Sequence, residues 1–156
     1  MTINRGPGAE CPSFAGVVAA RHAVEVRPVA EVTSLAGWDA VVLGAPINGM
    51  RLVPEMTSFI AAREAELRGL RTALYAVSYM HGAARPRWSR AIESSTSDAA
   101  ARAGAGSWKV LTGRIEKRLP GFARAIFGLP QNAPLDRRDP ATAAAWAREI
   151  ATTFGS

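Results

Sequence analysis

The stretch Trp38 to Met56, WDAVVLGAPINGMRLVPEM, constrains this chain more than any other. Its apolar run Ala40-Val41-Val42-Leu43 shows no alternation, which fits a parallel strand covered on both faces. The run meets Gly44-Ala45-Pro46, and Asn48 and Gly49 continue the turn chemistry. Pro54 suits the first turn of a following helix. The expected local structure is therefore a buried strand ending near Leu43, a loop, and a helix. In open parallel sheets, the loops at the carboxyl ends of strands are where ligands bind. An ordinary strand-to-helix connection would show the same pattern.

The rest of the chain alternates strand and helix signals. Val24, Val26 and Val29 are spaced for an edge strand over His22 to Val29, closed by Pro28. Met56, Phe59, Ile60, Leu67 and Leu70 predict one helix face over Pro54 to Leu70, with Glu64 and Arg68 as an outward i,i+4 pair and Gly69 at its end. Thr72 to Ser78 reads as a strand, Ser89 to Ala103 as a helix and Trp108 to Thr112 as the last strand. Arg114 to Gly128 reads as a strand extension and a short helix interrupted by Pro120-Gly121. Asp139 and Pro140 are placed to start a final helix whose face is Ala143, Trp146, Ala147, Ile150 and Phe154. Ser13 to Arg21 fits a short helix, though Val17-Val18 would also suit a strand, and Met1 to Pro12 reads as irregular. The alternation predicts a doubly wound α/β domain with right-handed crossovers. A length of 156 residues corresponds to a single domain, 1–156.

Composition narrows the function classes. Apolar content of 48% with 21% charged residues indicates a soluble globular protein. With neither a signal peptide nor a transmembrane segment visible, a cytoplasmic location is expected. The single Cys11 cannot form an internal disulfide, which agrees with a reducing compartment. The net charge of +6 is carried almost wholly by arginine and favours an anionic partner. The charges are dispersed without interleaved aromatics, so specific nucleic-acid recognition is not expected. No metal-ligand set, dinucleotide fingerprint, P-loop or nucleophile elbow is present, and no catalytic residue is assigned.

Trp38 to Met56, Val24-Glu25-Val26-Arg27-Pro28-Val29 and Asp136-Arg137-Arg138-Asp139, in that spacing, resemble the flavodoxin-like family, in particular its branch similar to menaquinone-dependent protoporphyrinogen oxidase. The resemblance covers about Val24 to Phe154. It implies a parallel sheet of order 2-1-3-4-5 and bound FMN. It also implies hydride or electron transfer with a quinone, a porphyrinogen or a redox protein as partner. The ring of such a cofactor would lie between Ala45-Pro46-Ile47-Asn48-Gly49-Met50 and Ser78-Tyr79-Met80-His81-Gly82. Within these loops Tyr79 would stack on the ring, Met50 would pack against it, and His81 would donate to a flavin nitrogen or a quinone oxygen. Arg85, Arg87 and Trp88 could receive propionates or a nucleotide phosphate, or form a solvated basic turn.

Two departures from the family stand out. Asn48 occupies a position where relatives commonly carry an aromatic. The hydroxyl-rich phosphate loop is replaced by Asn4-Arg5-Gly6-Pro7-Gly8-Ala9-Glu10-Cys11-Pro12, with no apolar strand before it. Either Phe14 to Ala19 supplies the first strand, or sequence upstream of Met1 is missing and the sheet is a strand short. The missing strand and the Asn48 departure point instead to a non-catalytic domain that has lost its flavin phosphate site and acts through protein association, including a homo-oligomer.

Overall fold

A computed structural model describes residues 2–4, 24–115, 120–130 and 134–155. The Arg5 to Pro12 loop, Cys11 and the Ser13 to Arg21 segment lie outside the described residues. Among the described residues there are six strands: β1 (Thr2–Asn4), β2 (Val26–Arg27), β3 (Ala40–Asn48), β4 (Arg51–Leu52), β5 (Arg71–Ser78) and β6 (Ser107–Thr112). They alternate with α1 (Pro54–Ala62), α2 (Glu64–Arg68), α3 (Pro86–Arg102), α4 (Gly121–Phe127) and α5 (Pro140–Phe154), and a 3-10 turn covers Val29–Glu31.

The sheet order is β2-β1-β3-β5-β6, all parallel, with β4 added antiparallel to β3. Counting parallel strands alone, this is the 2-1-3-4-5 order implied by the resemblance. The middle position is not vacant. Thr2–Asn4 fills it, pairing with Val26–Arg27 on one side and with Val42, Leu43 and Gly44 on the other. The irregular reading of Thr2–Asn4 is thereby corrected, and the gap expected in the sheet is filled by these residues. Three residues carry too short a pattern to read; long-range pairing makes them a strand.

The two faces of the sheet explain the unbroken apolar run. Val41, Leu43 and Ala45 of β3 pack with Leu74 and Ala76 of β5 against Met56, Phe59 and Ile60 of α1 and Ala99, Ala100 and Ala103 around the end of α3. Val42, Ala73 and Tyr75 point the opposite way, with Leu111, into Ala143, Trp146, Ala147 and Ile150 of α5. Successive strand residues thus enter two separate cores, so every position is apolar. The face expected for α5 is the one buried, with Phe154 packed partly against it, and Asp139 caps the helix by accepting from the Thr142 N–H at 3.0 Å.

Several element boundaries differ from expectation. β3 does not stop at Gly44-Ala45-Pro46 but runs to Asn48, because its ladder with β5 continues through Pro46 opposite Val77. Among the described residues β1 pairs with β3 only as far as Gly44 and β4 joins it only from Ile47, so Pro46 falls between the two and is paired on the β5 side alone, where proline is accommodated. The edge strand over His22 to Val29 is reduced to Val26–Arg27, with Val29 turned into the core as part of the 3-10 turn. The helix expected over Pro54 to Leu70 breaks at Arg63, whose guanidinium reaches the carbonyls of Val32 (3.1 Å) and Thr33 (2.6 Å) and the Glu66 carboxylate (2.8 Å). The Glu64–Arg68 pair forms at 3.3 Å. Pro86 begins α3 three residues ahead of Ser89, and Pro120-Gly121 starts α4 instead of interrupting it.

Candidate functional site

A cleft of about 330 Å³ opens where β3, β5 and β6 end. The first wall is the β3–β4 hairpin, which contributes Pro46, Ile47, Gly49 and Met50. Its turn residues Gly49 and Met50 both have positive φ, +56° and +66°, as a two-residue type I′ turn requires. Glycine adopts this conformation freely, whereas Met50 is held there at a cost of about 1–2 kcal/mol. The second wall is the exit of β5, with Val77, Ser78, Tyr79 and Met80. The third is Gly113, Arg114 and Ile115 after β6, and Phe127 of α4 closes the end.

Of the residues expected from the sequence, Pro46, Ile47, Gly49, Met50, Ser78, Tyr79 and Met80 are brought together here. Ala45 lies in the core at 1% exposure. Asn48 is exposed and pairs with Arg51 across the hairpin, so it does not line the cleft. His81 and Gly82 turn towards α3 instead: His81 Nε2 meets Glu93 Oε1 at 2.7 Å, and the Gly82 N–H donates to Ser89 Oγ at 3.0 Å. Tyr79 is 5% exposed. Its hydroxyl donates to the Pro134 carbonyl at 2.8 Å and the Arg137 guanidinium lies 5.9 Å from its ring centre, so the ring is already packed.

The third wall is what sequence reasoning missed. Gly113 directly follows the last predicted strand, and the rule that ligands gather at strand carboxyl ends points to it. A side chain there would lie 2.9 Å from Val77 Cγ1, so glycine permits β5 and β6 to end side by side. The segment 113–115 is held from behind by 134–137: Ile115 N–H donates to the Leu135 carbonyl at 2.8 Å, Arg137 N–H to the Gly113 carbonyl at 3.1 Å, and Arg114 bridges Asp136. Asp136 in turn accepts from Arg138 Nε at 2.9 Å and from the Arg138 backbone N–H at 3.1 Å. These bonds, the side-chain one foremost, hold its carboxyl down at about 2, with the Arg114 charge contributing in the same direction.

The chemistry of the cleft is mixed. Ile47, Met50, Val77, Ile115 and Phe127 offer apolar surface, while Ser78, the strand-end peptide groups and the Arg114 cation offer polar contacts. That combination fits a flat heteroaromatic ring with one polar edge, and the volume falls within the range of small-molecule sites. A wider groove of about 790 Å³ adjoins the same Gly49-Met50 turn and follows α3, bordered by Arg51, Trp88, Asp98 and Arg102. The segment that would meet a cofactor phosphate, Arg5 to Ser13, lies outside the described residues.

Comparison with known proteins agrees with this geometry. A sequence profile described as a flavodoxin domain matches residues 11–129, more than half of the chain. Among solved structures, the apo form of an NADH:FMN oxidoreductase (EMOB) superposes with a TM-score of 0.51 at 12% identity, covering 98% of this chain and 86% of its own. The Trp repressor binding protein from Bacillus subtilis gives a TM-score of 0.50 at 12% identity, with 96% of this chain and 94% of its own covered. At such identities the likeness is one of fold. No curated protein matches the sequence.

Proposed function

Because the chain belongs to the flavodoxin domain family, we propose that it binds FMN in the cleft at the ends of β3, β5 and β6 and takes part in hydride or electron transfer. The observation that carries this reading is the cleft itself: three strand ends converge on one slot lined by apolar side chains and peptide groups. Ile47 and Met50 would cover one side of the isoalloxazine ring, and the Ser78–Met80 segment would hold its polar edge. Arg114 supplies positive charge at the wall, suited to an anionic ring edge or an anionic partner. Bound FMN would supply the redox step; the protein holds and orients it and keeps water from its faces.

The finer reading is an oxidoreductase that takes electrons from a porphyrinogen or passes them to a quinone, following the resemblance to the protoporphyrinogen oxidase branch. A nicotinamide donor is in keeping with the NADH:FMN oxidoreductase neighbour. A role in association alone drew on a missing middle strand and on the Asn48 departure, and Thr2–Asn4 removes the first of these supports. Among the described residues no helix is long and apolar enough to cross a membrane.

The test is the visible spectrum of the purified protein, followed by titration with FMN. Flavin absorption bands, or saturable quenching of FMN fluorescence, support the proposal. Turnover with a water-soluble quinone as acceptor, or with a porphyrinogen as donor, then separates the partners. A colourless protein that ignores FMN refutes the reading and turns the search to protein partners.

A further inference from the structure

Arg137 lines no wall of the cleft, yet it fastens two of them. Its Nη1 donates to the carbonyls of Tyr79 (3.1 Å) and His81 (3.0 Å), and its backbone N–H donates to the Gly113 carbonyl (3.1 Å). The loop after β5 and the segment after β6 therefore share one anchor. The adjacent carboxylate, Asp136, is engaged by Arg138, so the Arg137 charge is satisfied by carbonyls rather than neutralised by its neighbour.

This anchoring polarises the loop. In a trans peptide the C=O and the following N–H point in opposite directions, and the described chain has no cis bond. With the Tyr79 and His81 carbonyls turned to Arg137, the N–H groups of Met80 and Gly82 are turned away from it. Gly82 bears this out by donating to Ser89 Oγ. Met80 belongs to the cleft wall. The loop thus presents the positive end of a peptide dipole away from a buttressing cation.

We propose that Arg137 is a positioning residue that, through the Tyr79–Gly82 loop, makes the cleft favour the anionic two-electron-reduced flavin over the oxidised form. The inference rests on the flavin reading above. Reduction adds two electrons and one proton to a neutral ring system and leaves one negative charge. A fixed cation and an oriented dipole within a partly buried site stabilise that charge selectively.

The experiment measures the midpoint potential of the FMN-loaded protein against a reference dye, with dithionite supplying electrons and water the proton. Wild type is compared with Arg137→Gln, which can still donate to carbonyls without the charge, and Arg137→Lys, which keeps the charge. Arg137→Gln is expected to weaken reduced relative to oxidised flavin by on the order of tenfold, a fall of about 30 mV for a two-electron couple. Arg137→Lys should stay near wild type. A merely structural role would lower thermal stability in both variants and leave the potential unmoved, and that result overturns the proposal. Should Arg137→Gln fail to fold, Arg137→Met, which keeps the aliphatic stem without the charge, takes its place: a potential lowered by about 30 mV upholds the proposal, and one near wild type overturns it. A wild type that binds no FMN overturns this inference together with the proposed function, whereas a loaded wild type with unshifted variants overturns this inference alone.

Discussion

Gly44→Ala is a severe test of how β3 and β5 are packed. Gly44 lies opposite Tyr75 in the parallel ladder, and the phenol ring covers the place a side chain would take. A methyl group at Gly44 would lie 2.2 Å from Tyr75 Cζ and 2.4 Å from its Oη, where ordinary contact begins at 3.4 Å. The ring would have to withdraw by about 1.2 Å, the difference of those two distances (3.4 − 2.2). It has little room: Tyr75 is 2% exposed and meets Trp146 edge-on at 6.0 Å, with Trp146 itself fixed by a 3.0 Å bond to Ser107 Oγ. Overpacking of this kind costs about 1–3 kcal/mol, and replacing a strand glycine by alanine returns about 0.5–1 kcal/mol. Taking the middle of each range, the expected net loss is about 1 kcal/mol, read as a lowered urea midpoint by circular dichroism. In a Tyr75→Leu background the collision is absent, so adding Gly44→Ala should be neutral or stabilising. Equal costs in both backgrounds would refute the argument, as would a Gly44→Ala protein as stable as wild type.

Met50→Gly should raise stability by up to about 1 kcal/mol by relieving the positive φ, while weakening FMN affinity several-fold through loss of a cleft wall. Thermal melting and FMN titration on the same samples check the pair, and unchanged flavin binding would remove Met50 from the site. Asp136 and Asp139 are both held below the ordinary carboxyl value of 3.8, Asp136 at about 2 by Arg138 and Asp139 by Thr142. Depressed folded-state values stabilise the protein above pH 3.8, and for Asp136 that contribution fades as pH falls towards 2. Asp136→Asn should lower stability at neutral pH and flatten the acid limb of the stability profile; an unchanged limb would contradict the assignment.

Some of this was legible in the sequence because it is local. The Val41-Val42-Leu43 run, the 3.6-residue spacing through Met56, Phe59 and Ile60, and the Asp139-Pro140 helix start each record an environment within a few residues. They were enough for the α/β class, for α5 and its buried face, and for turn chemistry at Asn48-Gly49 and a loop after β5, though not for the hairpin that β3 and β4 form. What the tertiary structure decided depends on residues far apart in the chain. Thr2–Asn4 is a strand because two distant strands offer it unpaired peptide groups. β3 passes through Pro46 because β5 continues beside it, and the third wall exists because residues 134–137 bind 113–115 from behind. Asn48, read as part of the flavin loop, faces solvent because strand pairing with Arg51 turns it out of the slot. Local patterning reports what each residue can bury, but pairing partners across the fold determine which peptide groups are satisfied and which side chains share a cleft.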